Sequence, residues 1–133
     1  MMASALIIEF FKRMAFNAMV TNDDDHPRNH AVLNWGSGWR ISPIYDVVPH
    51  AALSQDERFL ALDVGQFGRL AARANLLSRC EQFRLSKSAA SEILASMEQV
   101  VIKRPYFFKK AGLSSREMEE IAAAFLYPGY WRE

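Results

Sequence analysis

The sequence predicts an α+β fold that is mainly helical, with about four main helices and one β-hairpin. Three observations carry that prediction. Apolar residues recur at helical spacing in four segments. Two short runs of strand formers flank Gly36-Ser37-Gly38. Half of the 133 residues are hydrophobic, which is ordinary for one globular domain with a modest core.

The elements follow in order. Over residues 4–20, Ile7, Phe10, Phe11, Met14 and Ala18 mark one helical face. Ile8, Phe16 and Met19 widen it, so this helix is expected to be buried on more than one side. The polar stretch 21–30, with Pro27, breaks the helix. Ala31–Trp35 and Trp39–Ile44 then form the hairpin, residues 31–44, with glycines supplying positive φ in the turn. Trp35 and Trp39 are expected to pack across the strands. A hairpin returns the chain to where it started, so Tyr45-Asp46 should come back near Asp24 and Asn29.

Residues 49–70 read as irregular, with a short helix or strand around 58–64 and a turn at Gly65 and Gly68. Leu76, Leu77, Cys80 and Phe83 share a face and predict a helix over 73–83. Ser86 predicts an N-cap for a helix to about 103, striped by Ala90, Ile93, Leu94, Met97 and Val101. Pro105 is read as its stop. Ser114 and Glu117 form a capping box before Met118, Ile121, Ala122 and Phe125. The aromatic tail "LYPGYWRE" is expected to pack back on the body.

Sixteen basic and fifteen acidic residues leave a net charge of +1. That balance argues against a nucleic-acid scaffold or a charged membrane binder. A single cysteine, Cys80, excludes an internal disulfide and is expected to pack in the core. The apolar start "MMASALIIEFF" is soon interrupted by Glu9, Lys12 and Arg13, unlike a signal peptide. No stretch reaches the ~20 apolar residues of a membrane span. A cytoplasmic protein is the expectation.

The chemistry concentrates in "NDDDHPRNH", residues 22–30. Asp24, His26 and Asn29 form D-x-H-x-x-N, and Asp46 lies beyond the hairpin. Protein kinases place an aspartate, an asparagine five positions later and a second aspartate after a short hairpin in this order. One carboxylate must reach the attacking hydroxyl, while an asparagine oxygen and a second carboxylate converge on Mg²⁺. Hard oxygen ligands suit that ion. The repulsion among Asp23, Asp24 and Asp25 makes sense if a cation is expected; a solvated turn is the plain alternative. His30 and His50 would extend a metal cluster, but their spacing does not suit zinc. Arg28 pairs with the aspartates, touches phosphate or simply balances charge. Ser42 and Tyr45 read as structural, and Lys103, Arg104, Lys109 and Lys110 around "PYFF" as a solvated surface.

"RMAFNAMVTNDDDHPRNHAVL" followed by "WRISPIYDVVP" resembles the C-terminal region of the HipA-like toxin kinases, bacterial serine/threonine kinases of toxin–antitoxin modules. "LALDVGQFGRLA", "LLSRCEQFRLSKSAASEIL" and "GLSSREMEEIAAAF" fit as well, so the likeness covers nearly the whole chain. It implies a kinase-like C-terminal lobe. By this resemblance Asp24 is the catalytic aspartate and His26 organises the catalytic loop. Asn29 and Asp46 hold the metal and, with it, the nucleotide; the implied cofactors are Mg²⁺ and ATP. Two departures are Thr21, where glycine is common, and Asp23, where threonine is frequent. The implied partners are a helix-turn-helix antitoxin, operator DNA only through it, a protein substrate and a separate nucleotide-gripping lobe. No G-x-G-x-x-G and no V-A-I-K-like lysine strand is found, and Lys12 is a poor substitute. The resemblance therefore implies the larger lobe alone, inactive as an isolated chain. Two alternatives stand beside it: a non-catalytic module that binds an antitoxin or a small lobe, and a lobe of a small-molecule or lipid kinase.

Overall fold

The computed structural model describes every residue except Met1 and Trp35, with Met2 and Ala3 described by their backbone alone. Helix α1 runs Met2–Val20. Phe11, Ala15, Ala18, Met19 and Val20 are buried, and Ile8, Met14 and Phe16 pack at their edge. The widened apolar face predicts this arrangement. Each large side chain fully buried there contributes about 1.5–3 kcal/mol. The helix ends in a Schellman turn: the Asn22 N–H donates to Asn17 O at 2.9 Å, and Thr21 sits at φ 54°. Glycine is the usual occupant of such a left-handed position, which accounts for Thr21 as a departure.

A short 3-10 turn, Pro27–Asn29, follows the aspartates, with proline in its first turn. Strands β1 (Val32–Asn34) and β2 (Trp39–Ile41) pair antiparallel, Leu33 opposite Arg40. Ser42 N–H donates to Ala31 O and adds one rung beyond the strands. The hairpin is thus present but shorter than 31–44, because the chain stops pairing after Ser42 and turns toward the aspartates. Gly36 and Gly38 take the positive φ the turn requires. The expected packing of Trp35 on Trp39 lies outside the described residues.

Residues 58–70 form a narrow two-armed excursion, with Phe59 bridging Leu70 and Gly65 bridging Gly68. A Cβ on Gly65 would strike the Asn75 backbone and the Ser78 hydroxyl. Helix α2 is Arg73–Ser78, and a separate 3-10 turn covers Cys80–Phe83. The single helix expected over 73–83 is broken there because the Ser78 hydroxyl donates to Asn75 O at 2.7 Å and competes with the helical bond. Cys80 is buried as expected.

Helix α3, Lys87–Ile102, starts on Ser86, whose Oγ accepts from Ala89 N–H. Ala90, Leu94 and Val101 are buried and Ile93 and Met97 half-buried, matching the predicted stripe. Pro105 does not simply stop the chain. It lies in the first turn of a further helix, α4 (Arg104–Lys110), where its missing N–H costs nothing. Helix α5, Ser115–Ala122, carries the reciprocal Ser114–Glu117 capping bonds. The tail packs back with Tyr127 and Tyr130 buried. A buried triad ties it to α2 and α3: Tyr130 Oη donates to Glu98 Oε2 at 2.6 Å, and Arg73 Nε donates to the same oxygen at 2.9 Å. Among the described residues no helix is long and apolar enough to cross a membrane.

Candidate functional site

The site grows from the turn that ends α1. Because Thr21 is left-handed, the chain reverses at once and lays Asp23, Asp24 and Asp25 along the mouth of the hairpin. The three carboxylates do not face one another. Each takes a different histidine, and together they use all three in the chain. Asp24 Oδ1 meets His26 Nε2 at 2.7 Å, Asp25 meets His30 Nε2 at 2.9 Å, and Asp23 Oδ2 meets His50 Nδ1 at 2.9 Å. Short-range partners in three directions offset the repulsion that the sequence displays. The pairs differ in exposure: the Asp25–His30 pair is largely covered, whereas the Asp24 side chain is 78% exposed.

Asn29 ties the loop to the segment that follows the hairpin. It is 8% exposed. Its Oδ1 accepts from the His26 backbone N–H at 2.9 Å, and its Nδ2 donates to Asp46 Oδ2 at 3.2 Å. The backbone donor fixes which amide atom is oxygen. Asp46 has φ 57°, an uncommon conformation that asparagine and aspartate tolerate best. Tyr45 Oη donates to Arg28 O at 2.7 Å and pins the same segment to the loop. The return of Tyr45-Asp46 to Asn29, expected from hairpin geometry, is therefore observed. Asp24 joins them indirectly, through His26 and the His26 backbone.

The residue types are those a hard divalent cation takes, while in this arrangement the Asn29 nitrogen faces Asp46 and its oxygen faces the His26 N–H. The Asn29 amide oxygen keeps a second lone pair, and the Asp46 carboxylate offers further acceptor positions. Among the described residues no group of three or more histidine, cysteine, aspartate or glutamate side chains is arranged to hold a metal. His30 and His50 extend no cluster, since each is paired with its own aspartate. Arg28 is exposed and makes no ion pair among the described residues.

An apolar cavity of about 520 Å³ opens beside this loop, bounded by Phe10, Arg13, Met14, His30, Leu60 and Phe83. Asp24, Asn29 and Asp46 lie outside it, so the candidate chemistry sits on the loop itself, where the oxygen donors are.

A model of the HipA-like C-terminal domain matches residues 2–104. The chain belongs to the HipA-like C-terminal domain family. Comparison with curated proteins and with solved structures found no match. The HipA-like domain match spans α1, the acidic loop, the hairpin, α2 and α3, and stops where α4 begins. Everything that forms the candidate site is within it.

Two buried cations of this HipA-like domain are not legible in its sequence. Arg13 is 6% exposed on α1; it donates from Nε to Glu9 at 3.1 Å and from Nη2 to the Ser42 carbonyl, holding the hairpin base. Arg58 is 2% exposed and bonds Thr21. Neither interrupts an apolar pattern in a way that distinguishes it from a surface arginine.

Proposed function

We propose that this chain is the large, catalytic lobe of a HipA-like serine/threonine kinase of a toxin–antitoxin module. Asp24 orients the substrate hydroxyl and accepts its proton. The hydroxyl oxygen bonds to the γ-phosphorus of ATP as the bond to the β–γ bridging oxygen breaks, and ADP leaves. Asn29 and Asp46 would hold Mg²⁺, which when bound would neutralise charge on the phosphates. His26 holds the Asp24 carboxylate and, through its backbone N–H, the Asn29 amide. The one observation that carries this reading is the Asn29–Asp46 contact at 3.2 Å, made across the hairpin. Family membership supports it.

The test is cation binding followed by transfer. Mn²⁺, titrated into the chain as a spectroscopic substitute for Mg²⁺, is expected to bind, and Asp46→Asn to weaken it at least tenfold. With a nucleotide-gripping lobe supplied, Asp24→Asn should lower phosphoryl transfer by ~10²–10⁴. Unchanged Mn²⁺ affinity in Asp46→Asn would refute the assignment.

A second reading, a non-catalytic docking module, is favoured by one observation. Val32, Leu33, Trp39, Ile44 and Val48 are all exposed along the hairpin and the segment after it. Such an apolar face suits a protein partner, whether an antitoxin or a small lobe. The Mn²⁺ titration separates the readings, because docking needs no cation.

A further inference from the structure

Arg58 is a buried cation that the proposed chemistry does not use. Every acceptor it reaches is a neutral oxygen: Nη1 donates to Thr21 Oγ1 at 2.8 Å and Ala123 O at 2.9 Å, and Nε to Ser54 O at 2.7 Å. The Tyr127 ring lies 4.5 Å from the guanidinium, and the Tyr127 hydroxyl accepts from Arg58 N–H and donates to Ala71 O. Among the described residues no carboxylate lies within ion-pair distance of it. Burying a guanidinium without a counter-charge is costly, and it persists where the surrounding structure holds it.

What Arg58 holds is Thr21. The Thr21 hydroxyl, besides accepting from Arg58, donates to Ala124 O at 2.6 Å, and Leu126 N–H donates to Met19 O at 2.7 Å. A β-branched residue in the left-handed region is strained. Thr21 stays there because its side chain is bound on both sides and its carbonyl accepts from His50 N–H at 2.9 Å. His50 in turn meets Asp23 through its ring. Thr21 therefore sits where both arms of the site meet: the loop carrying Asp24 and Asn29, and the segment just after Asp46.

We propose that Thr21 and Arg58 are positioning residues for the candidate site, clamped by the Ala123 and Ala124 carbonyls of a segment beyond the matched domain. The inference rests on reading Asn29 and Asp46 as cation ligands. Arg58 fixes the Thr21 hydroxyl, the hydroxyl fixes the left-handed turn, and the turn sets the distance between the two arms.

The test uses Thr21→Val, which keeps shape and branching and loses the hydroxyl, with Thr21→Ser as the conservative rescue. Mn²⁺ affinity and amide exchange are read together. In Thr21→Val, which loses both hydrogen bonds of the hydroxyl, Mn²⁺ binding should weaken at least tenfold, while Thr21→Ser stays within about twofold of wild type. Exchange should quicken over 22–30 and 47–50, with α3 unchanged. Wild-type Mn²⁺ affinity in Thr21→Val overturns the proposal, as does uniform loosening that includes α3. If Thr21→Val does not fold, Arg58→Lys, which keeps the charge and loses the planar fork, must give the same local pattern or the proposal falls. A wild-type chain that binds no Mn²⁺ sinks the metal reading instead. Exchange in Thr21→Val then decides the clamp by itself, and an unloosened loop overturns it.

Discussion

Asn29→Asp isolates the charge logic of the site in a single atom exchange. The new carboxylate keeps the shape of the amide and an acceptor for the His26 N–H. What changes is the atom facing Asp46 Oδ2 at 3.2 Å, where a donor becomes an oxygen sharing a negative charge. Coulomb's law at that separation gives about 1 kcal/mol in water and about 5 kcal/mol at the effective dielectric of a protein surface. Asp46 is exposed, so the lower end applies. The lost hydrogen bond to a charged acceptor adds about 1 kcal/mol after the same discount for solvent. Asn29→Asp should therefore cost about 2–3 kcal/mol in urea unfolding with chelator present. Asn29→Ala, which loses both hydrogen bonds but gains no repulsion, should cost about 2 kcal/mol. Mg²⁺ separates the two, because a cation between two carboxylates offsets their repulsion and restores Asn29→Asp but not Asn29→Ala. Unchanged stability of Asn29→Asp in chelator, or no recovery with Mg²⁺, would show that these side chains do not share a cation position.

Two further outcomes follow from the buried polar groups. Glu98→Ala leaves the Tyr130 hydroxyl buried without an acceptor and removes the charge partner of Arg73, which is a quarter exposed. It should destabilise by about 3–4 kcal/mol in chemical denaturation, against less than about 1 kcal/mol for Arg116→Ala at the exposed Glu120 pair. Burial pushes the Tyr130 and Tyr127 hydroxyls above their usual range; at Tyr130 the Glu98 carboxylate adds to this. Since the fold favours both protonated phenols, their contribution is whole below about pH 10 and is lost as pH rises through the folded-state values. The urea midpoint should fall above that pH, and Tyr130→Phe should flatten the fall.

The sequence is most legible where pattern and local chemistry agree. The α1 and α3 stripes, the Ser86 cap and the Ser114–Glu117 box each depend on neighbours within a few residues, and each is present. The hairpin was legible from Gly36-Ser37-Gly38, and its geometry alone returns Asp46 to Asn29. Legibility ends where one residue has two local options, or where a side chain acts at long range. Ser78 reads as an ordinary helical residue, yet its hydroxyl takes a backbone carbonyl and ends α2. Pro105 reads as a stop, because the same ring that ends one helix is tolerated in the first turn of the next. Arg58 meets Thr21 across 37 residues and Ala123 across 65, a convergence no periodicity reports.

Two residues that the sequence alone leaves unexplained, Thr21 and Asp23, meet in space. Thr21 is a β-branched residue in a left-handed turn, which by itself adds strain. Asp23 stands beside two other aspartates, which by itself adds repulsion. In space both contact His50: its backbone N–H meets the Thr21 carbonyl, and its ring meets the Asp23 carboxylate. The buried Arg58 holds the Thr21 hydroxyl from the other side. A hydroxyl held by a buried guanidinium and a carboxylate held by a histidine ring thus meet at one junction. The Thr21 turn is therefore set by side-chain bonds, where glycine would leave it to backbone freedom alone.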